Sequence, residues 1–144
     1  MEYKAMKMTT QQQKLPDSDK VTVNVGLVDL AQLDLLVEEG FYSNRTDFVR
    51  TAIRNQLQVH ADAIRQTVTR KRYVMGMHRY GQRELAQVVA AGQQLEIHVL
   101  GLAVIEDDVP ASLAREAIAS LQVLGAFIAS PAVREALADR LQSS

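Results

Sequence analysis

The chain has 144 residues, of which 47% are hydrophobic and 23% charged, and its formal net charge is −1. These values are typical of a globular protein and exclude a wholly disordered or fibrous chain. No apolar stretch approaches the roughly 20 residues of a membrane span, and the polar first residues do not resemble a signal peptide. We therefore expect no membrane partner and a cytoplasmic location.

The sequence offers little support for catalysis or metal binding. It contains no cysteine, which excludes disulfides, thiol catalysis and thiolate metal sites. His60, His78 and His98 lie far apart, without the close spacing of metal ligands. The acidic run 106–108 is interpreted as a solvated turn, and no nucleophile stands at a recognisable spacing from a base. We expect no enzyme, no cofactor and no bound metal.

The small net charge hides an uneven distribution. From Phe41 to Tyr80 there are eight basic residues against two acidic ones, whereas from Gly81 onward there are four basic against eight acidic. Opposite signs in the two parts indicate that the first binds a polyanion and the second has another task. Solvated helix faces would explain the same charges equally well.

Taken in chain order, residues 1–19 are polar and are predicted to form a flexible leader. The next segment, Lys20–Val25, alternates polar residues with valines, which predicts a strand whose two faces differ. A lone strand needs a partner, and the simplest one is the same strand of a second copy, giving an antiparallel ribbon in a symmetric homodimer. Such a ribbon fits the major groove of double-stranded DNA.

Two amphipathic helices are predicted after the strand. Asp29 is a plausible N-cap for the first helix, and Gly40 ends it. The second begins at residues 43–44, where Asn44 and Asp47 have the spacing of a capping box. Its apolar stripe continues to about Arg70, either as one helix or with a restart after a small break. The cations at 70–72 suit the C-terminus of that helix at least as well as phosphate contact.

Residues 40–54 read Gly-Phe-Tyr-Ser-Asn-Arg-Thr-Asp-Phe-Val-Arg-Thr-Ala-Ile-Arg. With the strand and helix before them, they resemble the ribbon-helix-helix family of bacterial DNA-binding proteins, of the MetJ/Arc/CopG type, over about residues 20–58. The resemblance implies an intertwined dimer that acts as a sequence-specific transcriptional regulator. We assign residues 20–72 to this DNA-binding and dimerisation domain, with an extended second helix.

The resemblance also implies two sets of contacts with DNA. Side chains on the polar face of the ribbon would read base edges, because Lys, Thr and Asn can bond to them in the major groove; these are Lys20, Thr22 and Asn24. The start of the second helix would hold a phosphate; its residues are Ser43, Asn44, Arg45 and Thr46. The alternative for the strand residues is the wet face of an ordinary edge strand.

Residues 73–144 are predicted to form a small α/β module for oligomerisation or effector binding. The expected elements are a strand at 72–77, a helix at 82–91, a strand at 95–105 and a helix at 109–121. An internal sequence repeat, called the internal echo below, supports strand-then-helix units. Val99-Leu100-Gly101 is repeated at 123–125, and Arg115-Glu116-Ala117 is repeated at 134–136. Two copies are too few to predict a solenoid. The fold class is therefore α+β.

Three functions remain open from the sequence. The first is a transcriptional regulator whose C-terminal module joins dimers into tetramers or higher assemblies on adjacent half-sites. The second is an antitoxin that regulates its own synthesis through DNA binding. The third is a plasmid-partition or nucleoid-organising protein that uses the same DNA face. The folded appearance of residues 94–141 argues mildly against an antitoxin tail.

Overall fold

The computed structural model describes residues 15–142, which contain six helices and a three-stranded sheet and confirm the α+β class. The helices are α1 (Leu27–Glu38), α2 (Arg45–Val59), α3 (Ala61–Arg70), α4 (Gln82–Ala90), α5 (Ala111–Ala117) and α6 (Pro131–Ala136). The strands are β1 (Val74–Tyr80), β2 (Leu95–Ile105) and β3 (Ile118–Ile128).

The chain divides into two compact units, the first ending at Val49 and the second beginning at Arg50. Helix α2 therefore contributes its first residues to one unit and the remainder to the other. The domain boundary at residue 72 stays a prediction. The predicted leader, residues 1–19, lies mostly outside the described range.

The first helix starts earlier than predicted. Its N-cap is Gly26 rather than Asp29, because the Gly26 carbonyl already accepts the helical bond from the Leu30 N–H at 2.9 Å. Asp29 lies instead in the first turn, where its charge complements the positive end of the helix dipole. The extended backbone at Gly26, with ψ of 145°, is typical of an N-cap.

The turn between α1 and α2 is formed as predicted. Gly40 adopts a φ of 83°, and its N–H bonds to the Val37 carbonyl while the Phe41 N–H bonds to the Leu36 carbonyl. These two bonds define a Schellman motif, which satisfies the last carbonyls of α1. The chain therefore changes direction between α1 and α2 at this turn.

The second predicted helix breaks at His60 and restarts as α3, which is one of the two outcomes expected. Helix α3 ends in another Schellman motif, in which the Arg72 N–H bonds to Thr69 and the Tyr73 N–H bonds to Val68. Arg72 holds the left-handed position, with a φ of 56°, that glycine usually fills. Because this turn occupies residues 71–73, β1 begins at Val74 and not at residue 72 as predicted.

The three strands are parallel and lie in the order β1-β2-β3. Alternate residues of β2 and β3 face α4, α5 and α6, and together they form one apolar core. Its fully buried members include Leu85, Val99, Ile105, Ile118, Leu121, Val133 and Leu137. The predicted bounds of β2 are confirmed, and those of α4 are confirmed to within one residue.

The helix predicted at 109–121 is too long at both ends, and its last four residues, 118–121, belong to a strand. Helix α5 ends at Ala117, and the chain passes directly into β3, where Ile118 pairs with Leu95 and Leu121 pairs with Ile97. An apolar run of this length suits either a helix or a buried strand, and pairing with β2 decides between them.

The internal echo corresponds to aligned structural repeats. Val99-Leu100-Gly101 and Val123-Leu124-Gly125 are direct partners in the sheet, and Val74-Met75-Gly76 is a third copy in the same register. The helical part recurs three times as well, since Arg83-Glu84 in α4 precedes the Arg-Glu pairs of α5 and α6. The module therefore stacks three strand–helix repeats.

A row of glycines crosses the sheet at the centre of these repeats. Gly76, Gly101 and Gly125 are in register and have φ values of 113°, 142° and 117°. A Cβ on Gly101 would lie 2.3 Å from the Gly76 carbonyl oxygen, and one on Gly125 would lie 2.1 Å from that of Gly101. A Cβ on Gly76 would meet open space, because β1 is the edge of the sheet.

We predict a graded response to alanine along this row. Gly101→Ala and Gly125→Ala should each destabilise the protein by more than about 4 kcal/mol, because backbone would clash with backbone. Gly76→Ala should cost about 1–3 kcal/mol, from the strained φ alone. Urea unfolding of the three variants checks this order, and equal losses at all three positions would contradict it.

Candidate nucleic-acid interface

The segment proposed to read DNA has no regular secondary structure in the single chain. Residues 20–26 form neither helix nor strand, and Lys20, Thr22 and Asn24 are all exposed. The three valines between them are exposed as well, at 84% for Val21, 71% for Val23 and 47% for Val25. A strand needs a hydrogen-bonded neighbour, so the predicted ribbon stays a prediction about two chains.

The first unit buries very little apolar surface by itself. Among its described residues, Leu33 is the one buried apolar side chain. The side chains of Leu27, Val28, Leu35 and Phe41 are between 55% and 82% exposed. Exposure of this extent is unusual for a folded monomer and marks a surface made for another protein.

The four residues proposed to hold phosphate lie together at the start of α2, and all are exposed. The capping box predicted there is present in a modified form. The Asn44 Oδ1 accepts the Asp47 N–H at 2.8 Å, as predicted, but the Asp47 Oδ2 accepts the N–H of Ser43, at 3.0 Å, rather than that of Asn44. These two hydrogen bonds fix the backbone conformation at the start of α2.

The backbone at this end of α2 can accept an anion. Arg45 and Thr46 precede the first helical bond, which runs from the Phe48 N–H to the Asn44 carbonyl at 3.3 Å. N–H groups in such positions have no partner within their helix and point outward along a positive dipole. The edge-to-face contact of Tyr42 with Phe48, at 5.0 Å between ring centroids, supports the same turn.

The Arg45 side chain has a partner that the sequence did not reveal. Its Nε and Nη2 donate to the two carboxylate oxygens of Asp34 on α1, each at 2.8 Å. The paired hydrogen bonds and charge lower the pKa of Asp34 and raise that of Arg45. A separation of eleven residues across a turn gives no sequence signal, so only the angle between α1 and α2 identifies this pair.

The remaining candidate ligands have ordinary structural roles. His60 lies at the break before α3, and the Nδ1 of His98 is 2.9 Å from the Lys71 carbonyl oxygen. In the acidic run, Glu106 pairs with Arg79 at 3.3 Å and Asp108 accepts the Gln82 N–H at the start of α4. Across residues 15–142, no three His, Asp or Glu side chains are grouped as metal ligands.

None of the helices described is both long and apolar enough to cross a membrane.

Comparison with known proteins gives one match. The family described as "Ribbon-Helix-Helix transcriptional regulator family" matches residues 16–134, which is most of the chain. The match extends well beyond residues 20–58, the segment whose sequence resembles the family, and it includes all three strands of the sheet. No curated protein and no solved structure matches the chain.

We predict that the Asp34–Arg45 ion pair makes the stability of the protein depend on pH. Because the folded-state pKa of Asp34 lies below its unfolded value, the pair's contribution to stability is complete above the unfolded pKa and is lost as pH falls through the folded one. In Arg45→Ala the pKa of Asp34 should rise toward its ordinary value. Carboxyl NMR titration measures the shift, with Arg54→Ala as the control. An unchanged Asp34 pKa in Arg45→Ala would show that the pair does not form in solution.

Proposed function

Because the chain belongs to the ribbon-helix-helix transcriptional regulator family, we propose that it is a homodimeric, sequence-specific DNA-binding regulator. Residues 20–25 of two copies pair as an antiparallel ribbon and enter the major groove. Lys20, Thr22 and Asn24 then face the base edges. As a regulator of transcription it acts in the cytoplasm, at the nucleoid.

The observation that carries this proposal is the exposed apolar face of residues 21–25. In a ribbon, Val21, Val23 and Val25 of each copy lie on the face opposite the polar residues and cover the helices beneath. Their burial, together with that of Leu27 and Phe41, gives the first unit the core that it lacks alone. The same alternation leaves the three polar side chains facing outward.

In this proposal, phosphate binding at the start of α2 positions the ribbon on the DNA. The N–H groups of Arg45 and Thr46 can bond to one phosphate, which sets the register of the protein without reading sequence. Arg45 can exchange Asp34 for that phosphate, since both partners of the ion pair are exposed and such pairs stabilise little. Asp34 then keeps the guanidinium oriented before DNA arrives.

The C-terminal module serves assembly in this proposal. Its buried core of strand and helix residues supports a folded oligomerisation or effector unit, which joins dimers into tetramers or higher assemblies. This core is less typical of an antitoxin tail, which is often disordered before it meets its toxin. Partition or nucleoid organisation would use the same ribbon on clustered or less specific sites.

Two substitutions separate base reading from phosphate binding. Asn24→Ala should reduce the preference for operator over random duplex by about 1–3 kcal/mol, because it removes a base contact. Arg45→Ala should weaken both duplexes alike and lower the salt slope by about 1. Fluorescence anisotropy over a salt series, on operator selected from genomic fragments, measures both quantities.

Asp34→Asn is the matched control, because it frees Arg45 without removing it. It should tighten binding to both duplexes by a similar factor. Equal losses from Asn24→Ala and Arg45→Ala on both DNAs would contradict the assigned roles. Failure of the wild-type protein to retard any duplex in dilute buffer would contradict the function itself.

A further inference from the structure

The second unit carries an exposed apolar surface that its own core does not use. We define this α3–β1 surface by Leu57, Ala61, Ile64, Val68 and Met75, which line a cleft of about 520 Å³. The cleft is also lined by polar and cationic residues, which are Arg54, Gln58, Arg65 and Thr69. Arg65 is already paired with Asp62 at 2.8 Å, so that its charge is balanced on the same helix.

The helical side of this surface is not buried by any part of the chain that the structure describes. Leu57, Ala61, Ile64 and Val68 follow at intervals of four, three and four, which places them along one side of the helical segment. No residue of α2 or α3 is buried, and Leu57 is 55% exposed. An amphipathic helix draws most of its stability from packing its apolar face, so this face needs a cover.

The strand side of the surface is an open sheet edge. Within residues 15–142, strand β1 pairs with β2 alone, and Val74, Met75 and Met77 are between 49% and 61% exposed. The opposite edge is partly closed, since Leu141 forms a bridge with Leu121 of β3. An apolar edge strand without proline or lysine is a site for association unless something covers it.

We infer that a second copy of this chain covers the α3–β1 surface, in a two-fold contact in which the same patch of each copy meets the other. This inference rests on the proposed homodimer. Ile53 and Leu57 lie one turn apart on α2, the helix whose first half enters the proposed ribbon-helix-helix core. Pairing of the two copies through residues 20–25 tethers the partner chain, and because α2 leads directly into α3, the partner's matching face is held at a high effective concentration.

The contact links DNA binding to the C-terminal module. Each copy's α3 ends at Arg70, and a turn at 71–73 leads directly into β1, so a dimer in contact along α3 also fixes where the two sheets begin. We call this contact along α3 the seam between the two copies. Loosening the seam should weaken the dimer without touching any residue proposed to contact DNA.

Cysteine crosslinking tests the contact cleanly, because the chain has no cysteine of its own. Single substitutions in the full-length protein place a thiol on the seam, as in Ala61→Cys and Ile64→Cys, or on the other side of α3, as in Gln66→Cys. Mild oxidation, with a short bis-maleimide crosslinker run in parallel, should give at least a tenfold higher yield of covalent dimer at 61 and 64 than at 66. Equal yields at the three positions would overturn the inference.

A second measurement guards against misfolding by the cysteine variants. Ile64→Glu places a charge on the seam at a partly exposed position and should raise the dimer dissociation constant at least tenfold, whereas Gln66→Glu should leave it unchanged. Analytical ultracentrifugation measures both, with circular dichroism to confirm the fold. A wild-type dissociation constant in Ile64→Glu would overturn the inference.

The two proposals fail in distinguishable ways. If the wild-type protein is a dimer that binds DNA but crosslinks no better at 64 than at 66, the α3–β1 contact is wrong and the DNA-binding proposal stands. If position 64 crosslinks strongly but no duplex is bound, the contact between copies stands and the function is wrong.

Discussion

Among the described residues of the first unit, the large apolar side chains are mostly exposed in the single chain, and the proposed dimer depends on burying them. Three valines at 21–25 and the side chains around α1 remain in water in the isolated chain, with Leu33 alone buried among the described residues of the unit. The free energy of leaving that surface exposed favours association. In the homodimer we propose, pairing of two copies along residues 20–25 would cover the valines and orient the polar residues between them outward, so that folding, dimerisation and DNA reading would be coupled.

The second unit buries apolar side chains in a core of its own. Three strand–helix repeats stack in register, and a glycine at the same place in each strand lets the backbones approach where a Cβ would collide with a carbonyl oxygen. Their helices cover one face and form a continuous core. The edge of β1 and the side of α3 are left without cover. A self-contained core beside an exposed edge is compatible with the assembly role proposed for this module.

Much of this architecture was predictable from local signals. Gly40 as a helix terminator, the Asn44 cap and β2 all follow from turn chemistry and periodicity. The break at His60 was one of two open alternatives, and its position was not predicted. The errors have physical causes. Gly26 rather than Asp29 caps α1, because the first helical bond forms earlier than the side-chain pattern suggests. Residues 118–121 joined a strand because β2 was available to pair with them. The third repeat was missed since Met75 replaces the leucine of the other two copies.

The candidate site was only partly predictable. Residues 43–46 lie together and exposed where the second helix begins, and their binding of phosphate stays a prediction. The Asp34–Arg45 pair depends on the angle between two helices and leaves no mark in the sequence. The strand at 20–25 depends on a second chain. Amide hydrogen exchange of residues 20–25 in the DNA-free protein, followed over a dilution series, tests this pairing most directly. Antiparallel pairing predicts protection at alternate residues, lost on dilution as the dimer dissociates. Unprotected amides throughout 20–25 at concentrations where the protein is dimeric would contradict it.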